Sequence, residues 1–451
     1  MAGELTGSSF STDQEKFLAA KLIKRSYLKL VMGSLCDKVQ QPEGAGLAAY
    51  FVRYKRMNVP LTPLADDGAD PTNSSFTLDQ QTVTLDEWGD VVTITNVAQL
   101  TTKHPLIQQA ISVLADNAAR VMDREITIVM LANTNVQYGT GAASRTTLGT
   151  SDIISNITMN KARINFVNAG APPRGSGGQD ATQIEAKGQV FNSAYVAVCG
   201  PEVIGDIMAP GTSLGTWAAA ATYANAKSLY SAEVGTWLNI RWVETNFIPR
   251  FRILGSTTTA VSSAAAFGTD TPVVTAVDGG GSLTSSTTYY FKVTRKDLLR
   301  GFEEDISIEH TMASTATGNN ESFTFNFSSL TAGYVYNLYF GSATGDVNLK
   351  QYATTNIAVG TTVTVASVPS TTITPPASNA TTVTTVYPIF LVADEAMNWV
   401  GFFGIRTYIT KDESIVGNVL RRRRSLGWSF FGKAMVRDST RLLRIEVAST
   451  Y

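Results

Sequence analysis

The side chains with the strongest claim to chemistry are one serine and two histidines. Gly211-Thr212-Ser213-Leu214-Gly215 spells a nucleophile elbow, in which a serine sits on a tight turn between a strand and a helix. Such a serine needs a histidine in reach to take its proton. The chain offers His104, at the start of a long helical stretch, and His310, in a region of different composition. Pro210 and a short helical run precede Ser213 where a strand is required, so no catalytic residue is assigned. Gly170 and Gly175 have the spacing of a phosphate loop, but Ser176 stands where a lysine must meet the phosphate. Asp66, Asp67 and Asp70 crowd one loop, yet they lack the spacing and the closing glutamate of a calcium site. Cys36 and Cys199 are far apart and have no metal-type spacing. The expectation is no metal and no cofactor. Arg421, Arg422, Arg423 and Arg424 form the one dense basic run, able to grip phosphate or to pair with acidic groups of a neighbouring subunit. In a chain of formal net charge −1 there is no wider basic footprint, and the inter-subunit reading is preferred.

A chain of 451 residues can hold about two or three domains and bury a sizeable core. Two cysteines exclude a disulfide framework and fit folding in a reducing cytosol. The opening MAGELTGSSF lacks the basic and apolar regions of a secretion signal, and no apolar run has the length of a membrane span. The expectation is a soluble protein made inside the cell.

The element around which the rest is organised is a long amphipathic helix between Thr102 and Asn133. Pro105 sits in its first turn, where a missing N–H costs nothing. Ile107, Ala110, Ile111, Leu114, Ala118, Val121, Met122, Ile126 and Val129 recur at spacings that share one face. Asp116 and Arg120 support the solvated side. Before it, Thr12-Asp13-Gln14-Glu15 is a capping box that opens a basic amphipathic helix, read as an arm lying on a neighbouring subunit. Tyr50 to Tyr54 alternates like a strand, residues 57 to 75 are turn-rich, and strand text returns from Phe76 to Thr95. A long protruding hairpin between Tyr54 and Thr95 accounts for this pattern. Loops of that length are usually functional. Further on, a helix around Asn160 to Val167, a buried strand Tyr195 to Cys199 and a short helix Pro201 to Met208 are expected.

The composition turns Thr-, Ser-, Gly- and Ala-rich after Gly255. Short alternating runs follow at 271–277, 288–295, 305–309, 322–327, 334–340, 349–353 and 361–366. Strands of this number and spacing indicate an all-β immunoglobulin-like or fibronectin-like sandwich inserted in the chain. Phe323, Phe325 and Phe327 face its core, and Tyr336 resembles a tyrosine corner, whose phenol bonds backbone before its strand. The flanks 256–264 and 369–385 read as linkers. The interrupted domain resumes at Val386, and its closing strands include 406–410 and 442–447.

Three segments carry a resemblance to a known family. The run from Asp86 to Gly139 (DEWGDVVTITNVAQLTTKHPLIQQAISVLADNAARVMDREITIVMLANTNVQYG) resembles the extended-loop base and spine helix of tailed-bacteriophage major capsid proteins. SLYSAEVGTWLNIRWVETN, residues 228 to 246, and the tail from Arg421 onwards are similar to further segments of that family. The resemblance implies an α+β chain with the fold shared by tailed-phage capsids. Its parts would be an N-terminal arm (1–55), an extended loop (56–102) and a peripheral domain with the spine helix (103–185). An axial domain would follow (186–255 and 386–404), interrupted by the sandwich (256–385), and the chain would end in the peripheral closing strands (405–451). It further implies a homo-oligomer of pentamers and hexamers enclosing double-stranded DNA without sequence-specific contacts. Separate scaffolding and portal proteins, a cement protein, and a glycan or decoration ligand on the sandwich are the remaining expected partners, with no membrane. The competing reading is a surface or adhesin-type glycan-binding protein. Within the resemblance, the buried spine face would be Ile107, Ile111, Leu114, Ala118, Val121, Met122 and Val129. Some shells of this fold are chained by lysine–asparagine bonds from the extended loop, but residues 57 to 102 contain no lysine. Mature particles should therefore dissociate to single chains on denaturing gels, with no covalent ladder.

Overall fold

The computed structural model describes residues 31–54, 57, 59, 75–95, 106–139, 141–174, 194–209, 217–219, 232–238, 240–254, 260–261, 264–266, 270–314, 320–328, 330–352, 354–377, 385–409 and 423–451. The expected arm helix near Thr12, the tip of the extended loop, Ser213 and His104 lie outside them. The chain forms two compact units, residues 1–129 with 395–438 and residues 130–394 with 439–451.

In the first unit a four-stranded sheet runs in the order Asp37–Gln40, Met397–Ile409, Arg423–Val436, Glu87–Thr95. Beside it stands a two-stranded ribbon, Ala48–Tyr54 antiparallel to Leu78–Thr84. The expected hairpin is therefore divided. Its base is the ribbon, whereas Glu87–Thr95 leaves it to pair with Arg423–Val436. The physical reason is backbone pairing: Arg423–Val436 offers Glu87–Thr95 an antiparallel partner along its whole length, from Glu87 opposite Phe431 to Thr95 opposite Arg423. Ala49, Val83, Leu85, Val400 and Met435 form the local core. Gly432 belongs to this sheet because an added Cβ would fall 2.8 Å from the Val400 carbonyl and 3.0 Å from the Trp399 ring.

The long helix spans Leu106–Leu131, about 39 Å at about 1.5 Å per residue. Its buried stripe is Ala110, Ile111, Leu114, Ala115, Ala118, Ala119, Met122, Ile126 and Met130. Ile107, Val121 and Val129 are only half-buried. The stripe is centred on the small residues Ala115, Ala118 and Ala119, so the three β-branched residues fall on its margins. Asp116 and Arg120 pair at 3.0 Å on the wetter side.

The second unit is built on a seven-stranded mixed sheet. Its order is Val136–Tyr138, Leu442–Val447, Tyr387–Val392, Tyr195–Cys199, Ile240–Glu244, Glu233–Trp237, Ala218–Ala219. Tyr195–Cys199 and Tyr387–Val392 are buried throughout, as unbroken apolar runs require when both sheet faces are covered. Asn156–Asn168 and Pro201–Met208 are the expected helices, the first capped by the Ser155 hydroxyl, which accepts from the Thr158 amide at 3.2 Å.

From residue 252 onwards a second seven-stranded sheet and a four-stranded sheet share one core. The larger runs Arg252–Leu254, Glu303–Ser307, Thr288–Asp297, Tyr334–Gly341, Lys350–Gln351, with His310–Ala313 and Ile357–Ala358 beside it. The smaller runs Ala264–Ala266, Val273–Val277, Ser322–Asn326, Thr362–Val365. Phe291, Val293, Tyr336 and Phe340 of one meet Phe323, Phe325 and Val363 of the other, with Phe327 beside them. Two expectations are corrected. Tyr336 is no tyrosine corner: it lies inside its strand, fully buried, where burial and the Asp270 carboxylate hold its phenol proton. The described start of the flank is tied down at 371–373, since Ile373 O accepts from Gln351 N at 2.9 Å and Thr371 Oγ1 donates to Gln351 O at 2.8 Å.

Ala118 is fully buried on the helix stripe, so Ala118→Asp places an unpaired charge there. Thermal or urea unfolding should show a loss of about 3 kcal/mol or more, and an unchanged midpoint would disprove the assigned face.

Candidate assembly surface

The surface is built on anchors within the first unit. Asp123 interrupts the apolar stripe of the long helix and is itself buried. Its carboxylate accepts the Val31 amide at 3.1 Å and the Gly33 amide at 3.2 Å, capping the single helical turn Met32–Ser34 from about ninety residues away. Burial pushes its carboxyl up from the ordinary 3.8 to about 6, against the opposing pull of the amides. The capped turn leads into Asp37–Gln40, the edge strand that runs parallel to Met397–Ile409.

The ribbon rises from this sheet with two unlike faces. Ala49 opposite Val83, Phe51 opposite Gln81 and Arg53 opposite Asp79 turn inward. Arg53 bolts the ribbon down, reaching Asp79 at 3.5 Å and also the carboxylate of Asp438. Lys433 holds Asp86 at 2.6 Å, at the turn between Leu78–Thr84 and Glu87–Thr95. The other face pairs Tyr50 with Thr82, Val52 with Gln80 and Tyr54 with Leu78. On it Tyr50, Val52, Tyr54 and Leu78 are 64%, 54%, 67% and 58% exposed. Phe76 extends the strip, its ring 5.6 Å from that of Tyr54. Tyr50, Val52 and Tyr54 follow one another on one face of a strand, and Leu78 and Phe76 extend the strip from Tyr54, unlike scattered exposed leucines.

In the second unit, ion pairs fasten the sandwich sheet to the chain that leads into it. Arg252–Leu254 pairs in parallel with Glu303–Ser307. The buried Asp305 carboxylate takes Arg252 at 2.8 Å on one oxygen and Arg295 at 2.6 Å on the other. Arg300 donates to the carbonyls of Asn246 and Ile248 at 2.9 and 2.6 Å and pairs with Glu304, whose carboxyl burial raises to about 7. Sequence reasoning missed Asp123, Arg53 and Asp305. Asp123 alone left a mark, as an acidic letter in the middle of an apolar stripe.

The sequence-derived residues fall as follows. Ile111, Leu114, Ala118 and Met122 share the buried stripe, with Ile107, Val121 and Val129 at its edges. Phe323, Phe325, Phe327 and Tyr336 meet in the sandwich core. Of the basic run, Arg423 is exposed in its strand and Arg424 stands opposite Ile94, while Arg421 and Arg422 lie outside the described residues. His310 is buried in the sandwich against Phe291. Among the described residues no group of three or more histidines, cysteines and carboxylates could hold a metal, and no helix is long and apolar enough to cross a membrane.

Comparison with solved structures gives matches to phage capsids across most of the chain. A capsid chain of Ralstonia phage GP4 superposes with a TM-score of 0.51 at 11% identity, over 92% of this chain and 88% of that one. The fold is that of a phage capsid subunit. A chain of the head structure of Helicobacter pylori bacteriophage KHP40 and one of the acidic stable capsid structure of bacteriophage KHP30 match at TM-scores of 0.48 and 0.45, both at 10% identity. They cover 94% and 91% of this chain, and 91% and 87% of their own. No family model and no curated protein matches the sequence.

The Asp123 pKa carries a signed prediction. The folded chain holds this proton more tightly than the unfolded chain, so the ionised carboxylate costs stability. That cost is absent below the unfolded value of 3.8 and fully present above about 6. Melting temperature should therefore contain a component that falls as pH rises across this window, and Asp123→Asn should remove it. An identical pH profile for parent and variant would refute the assignment.

Proposed function

We propose that this chain is the major capsid protein of a tailed-phage head. Copies assemble as pentamers and hexamers into an icosahedral shell around double-stranded DNA, with the sandwich facing outward. The observation that carries this reading is the exposed apolar ribbon face on a chain with a phage-capsid fold. A two-stranded ribbon is marginal by itself, and each of its large apolar side chains gains about 1.5–3 kcal/mol on full burial. A second copy of the chain is the partner that would cover it.

In this reading residues 1–55 are the arm, 56–102 the extended loop and 103–185 with 405–451 the peripheral domain. Residues 186–255 and 386–404 form the axial domain around the inserted sandwich, 256–385. The face of the spine helix holds the peripheral domain together, and Arg421 to Arg424 pair across subunits. A formal net charge of −1 suits a wall that encloses DNA without gripping it. Scaffolding, portal and cement functions belong to separate proteins. The sandwich is open to a glycan or decoration ligand, and the protein resides in the virion after synthesis in the bacterial cytoplasm.

The test is negative-stain microscopy with sedimentation on the chain expressed together with its neighbouring phage proteins. The parent should give closed shells or rings of five and six. The double variant Val52→Asp, Tyr54→Asp, altered only on the exposed ribbon face, should keep the parent's melting temperature and lose the shells. A parent that stays monomeric under every condition would overturn the capsid reading. A variant that assembles like the parent would overturn only the role of the ribbon.

A further inference from the structure

The sandwich holds a lysine that solvent barely reaches. Lys292 alternates with Phe291 and Val293, which enter the core, so it stands on the other face of the larger sheet. That face is covered too: the Lys292 side chain is 7% exposed, and Tyr339, directly opposite it, is fully buried. The lysine Nζ meets the carboxylate of Asp346, in the turn that follows Tyr334–Gly341. A second carboxylate stands close by. Glu309 directly precedes His310, which lies opposite Phe291, the neighbour of Lys292 in its strand. The Glu309 oxygens accept the Thr344 hydroxyl at 2.5 Å and the Gly345 amide at 2.7 Å, two residues and one residue before Asp346. An amine, a carboxyl against it and a second carboxyl bonded to the two residues before that carboxyl thus come from three separate pieces of chain.

We propose that Lys292 and Asp346 become joined by an isopeptide bond after the sandwich folds, with Glu309 relaying the protons. Amide formation takes the neutral amine and the carboxylic acid, so one proton first moves from the Lys292 nitrogen to an Asp346 oxygen across their contact. The Lys292 nitrogen attacks the Asp346 carboxyl carbon, and the C–N bond forms as one C–O bond breaks. The departing oxygen leaves as water, taking one proton from the carboxylic acid and one from the amine through Glu309. The ammonium and carboxylate therefore become one amide and one water, with no oxidant and no co-reactant. Asp346 is partly open to solvent, which gives the water an exit. Such a link would tie Thr288–Asp297 to the 342–349 turn that follows its neighbour Tyr334–Gly341. The chain's two cysteines, Cys36 and Cys199, both lie outside the sandwich, so a disulfide could not serve there. An amide also holds regardless of redox conditions.

Intact-mass spectrometry of the denatured full chain, followed by peptide mapping, tests this. The parent should be lighter than its sequence by one water, and digestion should yield a branched peptide joining residues 292 and 346. Lys292→Arg keeps the cation but offers no nucleophilic amine, and it should restore the full mass, as should Asp346→Ala. Glu309→Gln should leave most of the chain unlinked. A parent at full mass overturns the proposal even if no variant folds. Persistence of the missing water in Lys292→Arg overturns it equally.

Discussion

The two larger sheets outside the sandwich depend on strands supplied by the last part of the chain. Arg423–Val436 lies between Met397–Ile409 and Glu87–Thr95, and Leu442–Val447 lies between Val136–Tyr138 and Tyr387–Val392. Each is an interior strand, so without it the earlier strands are left as unpaired edges. Pairings across some three hundred residues carry a loop-closure cost before they return any contact energy. The sandwich lightens that cost by folding much of the intervening chain into a compact body whose ends lie near one another, where Phe251 and Val386 bond each other's backbones at 3.0 Å.

The signals that were legible in the sequence are those set by local periodicity. The apolar repeat of the long helix, the unbroken run Tyr195 to Cys199 and the alternating phenylalanines 323, 325 and 327 each specify an element and its inner face without knowledge of a partner. Less legible was anything decided by the partner. Val121 and Val129 satisfy the helical repeat, but the centre of the stripe is set by where alanines permit close approach. Glu87–Thr95 alternates just as a hairpin arm would, and only the availability of Arg423–Val436 draws it into another sheet. Tyr336 has the spacing of a corner tyrosine and the burial of a core residue.

The ion pairs show the same division. Asp116 and Arg120 could be paired from their spacing alone, because the helix itself brings them together. Asp123, Arg53 and Asp305 could not, since each finds its partners through tertiary structure. Those three are also the more consequential. Each is buried or half-buried, and each fixes a segment that would otherwise be free to swing: the turn at 31–34, the ribbon, and the strand at 252–254. The candidate surface was legible in outline, as an extended loop. Its apolar face emerged only from the register that places Tyr54 opposite Leu78.

The parallel pairing of Arg252–Leu254 with Glu303–Ser307 has a mechanical meaning. A domain joined to its host by linkers can nod and turn, and whatever it holds is averaged over a cone of directions. A domain that borrows a strand from the lead-in chain, with Arg252 and Arg295 sharing one carboxylate across the join, has no such pivot. The join holds its larger sheet against the strand that leads into it. If many copies stand on a common lattice, the distances between equivalent surface points are fixed by the lattice rather than sampled by a tether. Multivalent attachment would then reward a target of matching pitch and penalise every other.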